Sequence, residues 1–258
     1  MNVKELVFGV VLLLPLQFVW GQDKIVATLP IRPWQIGLQI GGAHLLSSSS
    51  VVEQELQYLG ISESQADKYY KHLKNGLYVS ADVHYWFNNQ LGTGLKYSLF
   101  SSSANTDTEM FFPMSPASGY ASYDFGVKEQ VDVNYMGPSF IAGQWLNQQH
   151  TLQLTEAFSI GYAHIVMKAH SQIYYHPVDN SKSESVSVLS KGGTLGGNLE
   201  IAFAYYPIPE VSVAVNAGFF YAKFNDLDVS SDANYPVEWE SSLNMSRLNA
   251  AIGLQVHF

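Results

Sequence analysis

The last twelve residues of the chain, Arg247-Leu-Asn-Ala-Ala-Ile-Gly-Leu-Gln-Val-His-Phe258, decide how the rest is interpreted. Every second residue from Leu248 to Phe258 is apolar, and the residues between them are mostly polar or small. Because successive side chains of a strand point to opposite faces, this pattern predicts an amphipathic β-strand that ends on an aromatic residue.

The same alternation recurs in seven earlier segments. These predicted strands cover residues 34–41, 77–87, 91–100, 127–146, 151–166, 194–205 and 211–221. Their connections are alternately long and short, with short turns at 88–90, 147–150 and 207–210 and long loops at 42–76, 101–126, 168–191 and 225–243. We therefore predict an all-β chain that forms an eight-stranded antiparallel up-and-down transmembrane β-barrel with long external loops, one of which contains short helices.

The composition fits a barrel in lipid better than a soluble domain. Charged residues make up 14% of the 258 residues, against about 25% in typical soluble domains. Aromatic residues also reach 14%. A formal net charge of −9 argues against nucleic acid as a partner, since phosphates are bound by basic patches. The absence of cysteine excludes disulfides, thiolate metal sites and a lipoprotein anchor.

The N-terminus predicts a secretory signal. Lys4 precedes the uncharged apolar run 6–20, which as a helix would span about 22 Å, short of the ~30 Å hydrocarbon core. A retained anchor is the alternative. We expect a signal peptide over residues 1–21, cleavage before Gln22, a periplasmic lead-in over 22–33, and a barrel domain over 34–258 in the bacterial outer membrane.

The alternation of apolar and polar residues does not show which face of the barrel contacts water, since a lipocalin-like secreted barrel would place the apolar face inside. Two features favour an apolar exterior. The polar face is rich in small residues and poor in charges, unlike a surface washed by water. Aromatic residues on the apolar parity also cluster near strand ends, as in interfacial girdles. The predicted girdle is Trp34, Tyr85, Phe87, Trp145, Phe203, Tyr205, Tyr221 and Phe258.

With these patterns, the stretch Tyr135-Met-Gly-Pro-Ser139 and the terminal Phe258, the chain resembles the porin-family outer-membrane β-barrels of the PorT-like and OmpA/OmpW-like eight-stranded group. The resemblance covers roughly residues 34–258. It implies outer-membrane lipid and lipopolysaccharide as surroundings, and recognition of the closing strand by the barrel-assembly machinery. It supplies no functional motif, and the external ligand stays unspecified.

Three local irregularities carry predictions of their own. Pro138 inside the fourth strand predicts a β-bulge. Glu156 falls on the apolar parity of the fifth strand, which predicts a one-residue slip near 156–158. Ser50 with Glu53, and Ser62 with Gln65, match helix capping boxes, so the insertion at about 50–75 is predicted to hold two short helices. They could form a lid or a partner-binding knob, or Tyr69, Tyr70 and Leu73 could merely cap the barrel mouth.

The polar face also carries charges that must lie inside the barrel. Eight strands enclose a lumen that side chains fill, so these charges should neutralise one another. The predicted lumen charge network is Asp82, His84, Lys96, Asp132, Glu200 and Arg247, with Lys96 and Arg247 as the counter-charges. It could form a structural plug, or it could gate a narrow proton or ion path.

No pattern predicts catalysis, a metal site or a cofactor. His164, His170 and His176 are spaced six residues apart without an accompanying carboxylate motif, which favours solvated histidines. The acidic fourth loop could bind divalent cations or simply be solvated. We expect a non-enzymatic structural, binding or accessory protein. The alternatives are a narrow channel or transporter for a small or hydrophobic solute and an outer-membrane lipid-modifying enzyme.

Overall fold

A computed structural model describes residues 32–46, 61–113, 120–176, 182–232 and 242–258. It contains one helix and ten strands within these ranges. In chain order they are β1 (Trp34–Leu45), α1 (Glu63–Lys74), β2 (Asn75–Trp86), β3 (Leu91–Pro113), β4 (Tyr120–Trp145), β5 (Leu152–His176), β6 (Lys182–Ile208), β7 (Val211–Asn225), β8 (Asp228–Ser231), β9 (Ser242–Asn244) and β10 (Arg247–His257).

Eight of the strands close into a ring, each antiparallel to both neighbours. The order runs from β1 through β7 in sequence, and β10 lies between β7 and β1. The seam is tied at its end by Trp34 and Phe258, whose backbones exchange hydrogen bonds of 3.0 and 2.9 Å. The short strands β8 and β9 pair with β6 and β7. The predicted eight-stranded antiparallel up-and-down barrel is therefore confirmed.

The three tight turns lie at one end of the barrel, and asparagine side chains hold two of them. The Asn88 side-chain oxygen accepts 2.8 Å bonds from the backbone N–H groups of Gln90 and Leu91. The Asn147 oxygen accepts in the same way from Thr151 and Leu152. Such side-chain bonds replace the backbone bonds that a turn leaves open. We call this end of the barrel the turn end and the opposite end the mouth.

The strands at the mouth are longer than the sequence pattern predicts. β3 to β6 contain 23–27 residues, whereas β1, β2, β7 and β10 contain 11–15. Most of the predicted loops at 101–126 and 168–191 are therefore strand, which corrects the prediction. The alternation disappears in these segments because a strand that rises beyond the apolar belt has no reason to keep one face apolar.

The outer face of the ring is apolar and the inner face is mixed. Leu38, Ile40 and Ile252 on the outer face each have about 60% of their surface exposed. The inner face is polar toward the turn end and apolar toward the mouth, where Phe100, Val133, Ile165 and Phe220 meet. The mouth half of β4 thus has the opposite parity to the one predicted, with Val131 and Val133 inside.

The two predicted strand irregularities are wrong. β5 keeps one register against β4 and β6 over its whole length, so no slip occurs at Glu156. The Glu156 side chain instead shares the outer face with Leu154 and Phe158. Pro138 is paired with Leu95 in an unshifted register, so it makes no bulge. The register shift that does occur lies at the end of β6, between Tyr205 and Ile208.

The helix α1 begins as predicted, with a complete capping box in which Ser62 and Gln65 bond to each other's backbone. Ala66, Tyr69 and Tyr70 are buried against Ala104 and Phe125, on the inner faces of β3 and β4. The helix predicted from Ser50 lies outside the described residues. Across the described part of the chain, no helix is both long and apolar enough to cross a bilayer.

Candidate functional site

An ion pair occupies the middle of the lumen. Lys96 Nζ on β3 lies 2.7 Å from Glu200 Oε2 on β6, and the Tyr78 hydroxyl on β2 donates a 2.8 Å bond to Glu200 Oε1. All three side chains are buried. β3 and β6 are not neighbours in the ring, so the pair spans the lumen. A buried carboxylate held by an ammonium and a phenol satisfies the need of buried charges for partners.

A second polar group lies on the turn-end side, built on β2 and β4. His84 Nδ1 is 3.1 Å from Asp82 Oδ1, and His84 Nε2 is 3.1 Å from the Ser139 hydroxyl. A side chain at Gly37 would overlap the Asp82 carboxylate, since a Cβ there would lie 2.7 Å from Asp82 Oδ1. These three side chains, a carboxylate, an imidazole and a hydroxyl, are the same groups in the same order as in the catalytic triad of a hydrolase.

Sequence reasoning did not find Ser139 because it lies 55 residues from His84, on a strand that β3 separates from β2. The Ser139 side chain is 0% exposed, so no substrate reaches its hydroxyl in this structure. The Nδ1 nitrogen of His84 also lacks hydrogen-bond geometry toward any described residue. The arrangement is therefore a packed polar cluster.

Arg247 is not the counter-charge that the sequence predicted. Its guanidinium lies 3.9 Å from the ring centre of Phe220 and 5.2 Å from that of Phe100, and Nε donates to Asn249 at 3.2 Å. Among the described residues it forms no salt bridge, and Nη1 and Nη2 lack hydrogen-bond partners. Arg247 therefore fills the lumen between two aromatic rings.

Asp132 is not in the lumen, which corrects a second predicted member of the network. It lies on the outer face of β4, where Ser101 donates a 2.6 Å bond to Oδ1 and Gln130 a 2.9 Å bond to Oδ2. The reversed parity of this half of β4 places Asp132 outside because Val131 and Val133 take the inner positions. The structure thus brings together Asp82, His84, Lys96, Glu200 and Arg247 in the interior and leaves Asp132 outside.

Toward the mouth, the lumen is filled by apolar side chains and by α1. The helix residue Leu73 packs on the apolar core that contains Phe100 and Phe220. Burial and the neighbouring Glu129 carboxylate raise the pKa of Tyr69 well above its ordinary value, so this phenol stays neutral. The helix therefore closes the mouth side of the barrel from within the raised wall of β3 and β4.

At the turn end, side chains no longer fill the lumen, and a cavity of about 380 Å³ lies among the three tight turns. Trp86, Trp145 and Tyr206 line it, together with Arg32, His150 and His257. The sequence carries no motif for this cavity, because its lining comes from five separate places in the chain. No local pattern indicated that Trp145 lies inside; in the structure it shares the parity of Ile141 and Gly143, which are buried.

Trp145 is consequently wrong as a member of the girdle. It lies inside, 4.9 Å from the Tyr206 ring and 5.2 Å from the His150 ring. The other seven predicted girdle residues are on the outer face with 40–60% of their surfaces exposed: Trp34, Tyr85, Phe87, Phe203, Tyr205, Tyr221 and Phe258. Six of these seven lie toward the turn end, and Tyr221 lies toward the mouth.

The three evenly spaced histidines do not form a cluster. His164 is on the outer face of β5, and His170 Nδ1 is 3.1 Å from the Ser187 hydroxyl. The side chain of His176 and two of the five acids of the predicted fourth loop, Glu238 and Glu240, lie outside the described residues. In the ranges that the structure describes, no three His, Asp or Glu side chains are placed to hold a metal ion.

No protein-family model and no curated protein matches the chain. Several solved structures match the chain. Ail of Yersinia pestis is 16% identical over 86% of this chain and 99% of its own, with a TM-score of 0.35. Neisserial surface protein A is 12% identical over 87% and 97%, with a TM-score of 0.37. The outer membrane protease OmpT from Escherichia coli is 8% identical over 90% and 99%, with a TM-score of 0.33.

These identities and TM-scores are too low to support an argument about function, and the proteins named differ in their roles. The fold rests on the closed ring of strand pairings itself, which is that of the eight-stranded outer-membrane barrels the sequence resembles. Nothing in these comparisons bears on the PorT-like grouping.

Proposed function

We propose that the chain is an integral bacterial outer-membrane barrel with a closed lumen, which acts as a non-enzymatic structural, binding or accessory protein. The observation that carries the proposal is the Lys96–Glu200 pair across the lumen. The apolar outer face, with exposed side chains such as Leu38 and Ile252, supports a lipid environment, because a soluble monomer rarely exposes so continuous an apolar surface.

The lumen is closed in successive layers. From the mouth inward these are α1, the apolar core around Phe100 and Phe220, the guanidinium of Arg247, and the Lys96–Glu200 pair. An ion crossing the barrel would have to displace an apolar layer and break a buried ion pair. Both steps are costly, the second by several kcal/mol.

Planar-bilayer recording tests this closure against the channel alternative. The purified protein should give no steady conductance at ±100 mV, a voltage for which the energy of one full elementary charge is about 2.3 kcal/mol. A matched set of variants makes the result specific. Lys96→Ser with Glu200→Ser removes only one of the layers and should stay silent, like Ser101→Ala on the outer face. Small conductance steps should appear only when Phe100→Ser and Phe220→Ser open the apolar layer as well. Steady open steps from the unmodified protein would establish the channel instead.

The enzymatic alternative rests on one observation, the Asp82–His84–Ser139 cluster. Because Ser139 is fully buried, a fluorophosphonate should not label it in the folded protein. Labelling that disappears in Ser139→Ala would contradict the proposal. Mass spectrometry of lipid A from cells with and without the protein is the complementary measurement, and an unchanged lipid profile is expected.

The proposed location has its own test. We propose cleavage before Gln22, assembly through the closing strand, and surroundings of outer-membrane lipid and lipopolysaccharide. Heat-modifiable gel migration of the membrane fraction should show a compact band that shifts on boiling. Deleting Phe258 should reduce that band, while Phe258→Tyr should preserve it, because the backbone pair with Trp34 and an aromatic ring both remain. A protein found in the soluble fraction would refute the location.

The raised wall of β3 to β6 supports a binding role at the cell surface. These strands continue about ten residues beyond their shorter neighbours, and β8 extends the sheet along β6 at Val188–Lys191. A rigid sheet that projects from the membrane presents a defined surface to a partner. The partner itself is left to experiment.

A further inference from the structure

At the turn end, the side chains of the described residues leave a cavity unfilled. Its volume of about 380 Å³ falls within the ~300–1,000 Å³ typical of pockets for small ligands. It is bounded by the turns that follow β2, β4 and β6, which contribute Asn88, His150 and Pro207 respectively. Its lining is therefore held by the most rigid connections of the barrel.

One side of the cavity is a continuous wall of aromatic rings. The ring of Trp145 lies 5.2 Å from that of His150 and 4.9 Å from that of Tyr206, and Tyr206 in turn lies 5.1 Å from His257. Trp86 also lines the cavity, and its indole N–H is committed to Gln35 at 2.8 Å. The wall offers flat apolar faces against which another ring can stack.

Two polar atoms of the lining are buried without a partner. Nη1 of Arg32 and Nε2 of His257 have no hydrogen-bond partner among the described residues. His257 is 8% exposed. Arg32 donates through its other terminal nitrogen, Nη2, to Glu210 at the edge of the barrel, which leaves Nη1 available. A buried polar atom without a partner is unfavourable, and a polar group of a ligand would satisfy it.

The charge of the lining defines the sign of the ligand. Arg32 is its one permanently charged residue among those described, and no described acidic side chain lines the cavity. An arginine that has one free terminal nitrogen is suited to a carboxylate or phosphate oxygen. The aromatic wall adds the requirement for a ring, and the volume limits the ligand to about the size of a monosaccharide or a dipeptide.

We propose that this cavity binds a small carboxylate that carries an aromatic or sugar ring. The ring stacks on Trp145 and Tyr206, and the carboxylate accepts a hydrogen bond from Arg32 Nη1, with His257 Nε2 as a second polar contact. In the orientation proposed above, the cavity opens to the periplasm. Ligand binding in this cavity does not require a closed lumen. The conductance experiment and the binding experiment therefore test separate proposals, and either can fail without the other.

Isothermal titration of the protein in lipid nanodiscs tests the proposal with two matched pairs of probes. One pair is 3-phenylpropionate and 3-phenylpropanol, and the other is N-acetylmuramate and N-acetylglucosamine. In each pair only the first compound carries a carboxylate. At least one carboxylate should bind about tenfold or more tightly than its neutral counterpart, the effect of one charge-assisted bond. The pair that shows the difference identifies the ring.

Two variants separate the guanidinium from its structural contact. Arg32→Gln removes both the charge and the contact with Glu210, and should weaken carboxylate binding about tenfold. Glu210→Gln replaces the ion pair with a neutral hydrogen bond but keeps the guanidinium, and should leave binding unchanged or tighter. Trp145→Leu should weaken both members of a pair, whereas Tyr206→Phe keeps the ring and should not.

The outcomes that overturn the proposal are equally defined. They are equal affinity for the charged and neutral members of both pairs, no binding of either carboxylate, and an equal loss in Arg32→Gln and Glu210→Gln. Heat-modifiable migration confirms the fold of each variant before titration. Arg32 precedes β1 and lies outside the strand pairings, so its substitution leaves the barrel wall unchanged. Trp145→Leu tests the aromatic side of the cavity independently of the guanidinium.

Discussion

Lys96 Nζ lies 2.7 Å from Glu200 Oε2, although 104 residues separate the two in the chain. The pair joins β3 to β6 through the interior, and the Tyr78 hydroxyl holds the other carboxylate oxygen. Since neither strand pairs with the other, this contact connects opposite sides of the ring. Removal of either partner would leave the other charge buried without a counter-charge.

Lys96→Met should lower the free energy of unfolding by about 3–5 kcal/mol, because it leaves the Glu200 carboxylate buried without its cation. The double variant Lys96→Met with Glu200→Gln should recover most of that loss. Urea titration in lipid vesicles, analysed as a double-mutant cycle, measures the coupling. If the single variant is as stable as the unmodified protein, the pair does not hold the barrel together.

Arg247→Met should leave stability unchanged or raise it. The guanidinium gains about 2 kcal/mol from cation–π contact with a desolvated ring, but burial of a charge without a carboxylate costs several kcal/mol. Met keeps the apolar contacts with Phe100 and Phe220 and removes the charge. Urea unfolding in vesicles is the measurement. A loss greater than about 1 kcal/mol would show that the cation–π contacts outweigh desolvation.

Glu156→Leu should stabilise the barrel in lipid by about 1 kcal/mol, since a carboxylate facing hydrocarbon is unfavourable. The adjacent Thr155 provides the matched control because it points inward and is buried. Thr155→Leu should destabilise by overpacking the lumen. Opposite signs for two neighbouring residues would verify the unbroken register of β5. A loss of stability in Glu156→Leu would instead point to a polar partner for that side chain in the membrane.

The docking of α1 should weaken at high pH through Tyr69. Burial and the Glu129 carboxylate raise the pKa of this phenol above its ordinary value of 10.0, so the docked helix holds the proton more tightly than the undocked helix. The stabilisation is complete below pH 10 and falls as the pH rises beyond it.

Hydrogen exchange of α1 between pH 8 and 11 measures this effect, after correction for the intrinsic exchange rate. Tyr69→Phe is the control, and its protection should depend less on pH. Equal pH dependence in the two proteins would assign the effect to another group.

The strand pattern predicted the ring correctly because burial in a barrel alternates with period two wherever the outer face meets apolar surroundings. The same reasoning failed above that belt. Residues 101–107 and 168–172 continue as strand with polar residues on both faces, and their composition is that of a loop. The sequence predicts loops there because the alternation is absent. Alternation depends on what surrounds the two faces of a strand, and its absence does not show that the backbone is not extended.

The parity of β4 shows a related limit. The alternation in the fourth strand predicts Val131 and Val133 on the outer face because they are apolar, but the mouth half of the lumen is itself apolar and holds them. Trp145 was assigned to the outer girdle for the same reason and lines the cavity instead. Hydrophobicity identifies an apolar environment, and this barrel has one on each side of its wall.

The sequence by itself determined the number of strands in the ring, their antiparallel order and the seam at Phe258, because these follow from local periodicity and turn chemistry. It also placed Asp82, His84, Lys96, Glu200 and Arg247 on the inner face. Only the tertiary structure decided which of them meet. Glu200 forms an ion pair with Lys96, and Arg247 lies between Phe100 and Phe220. Contacts across a lumen depend on the closure, stagger and tilt of all eight strands, and no local pattern records those quantities.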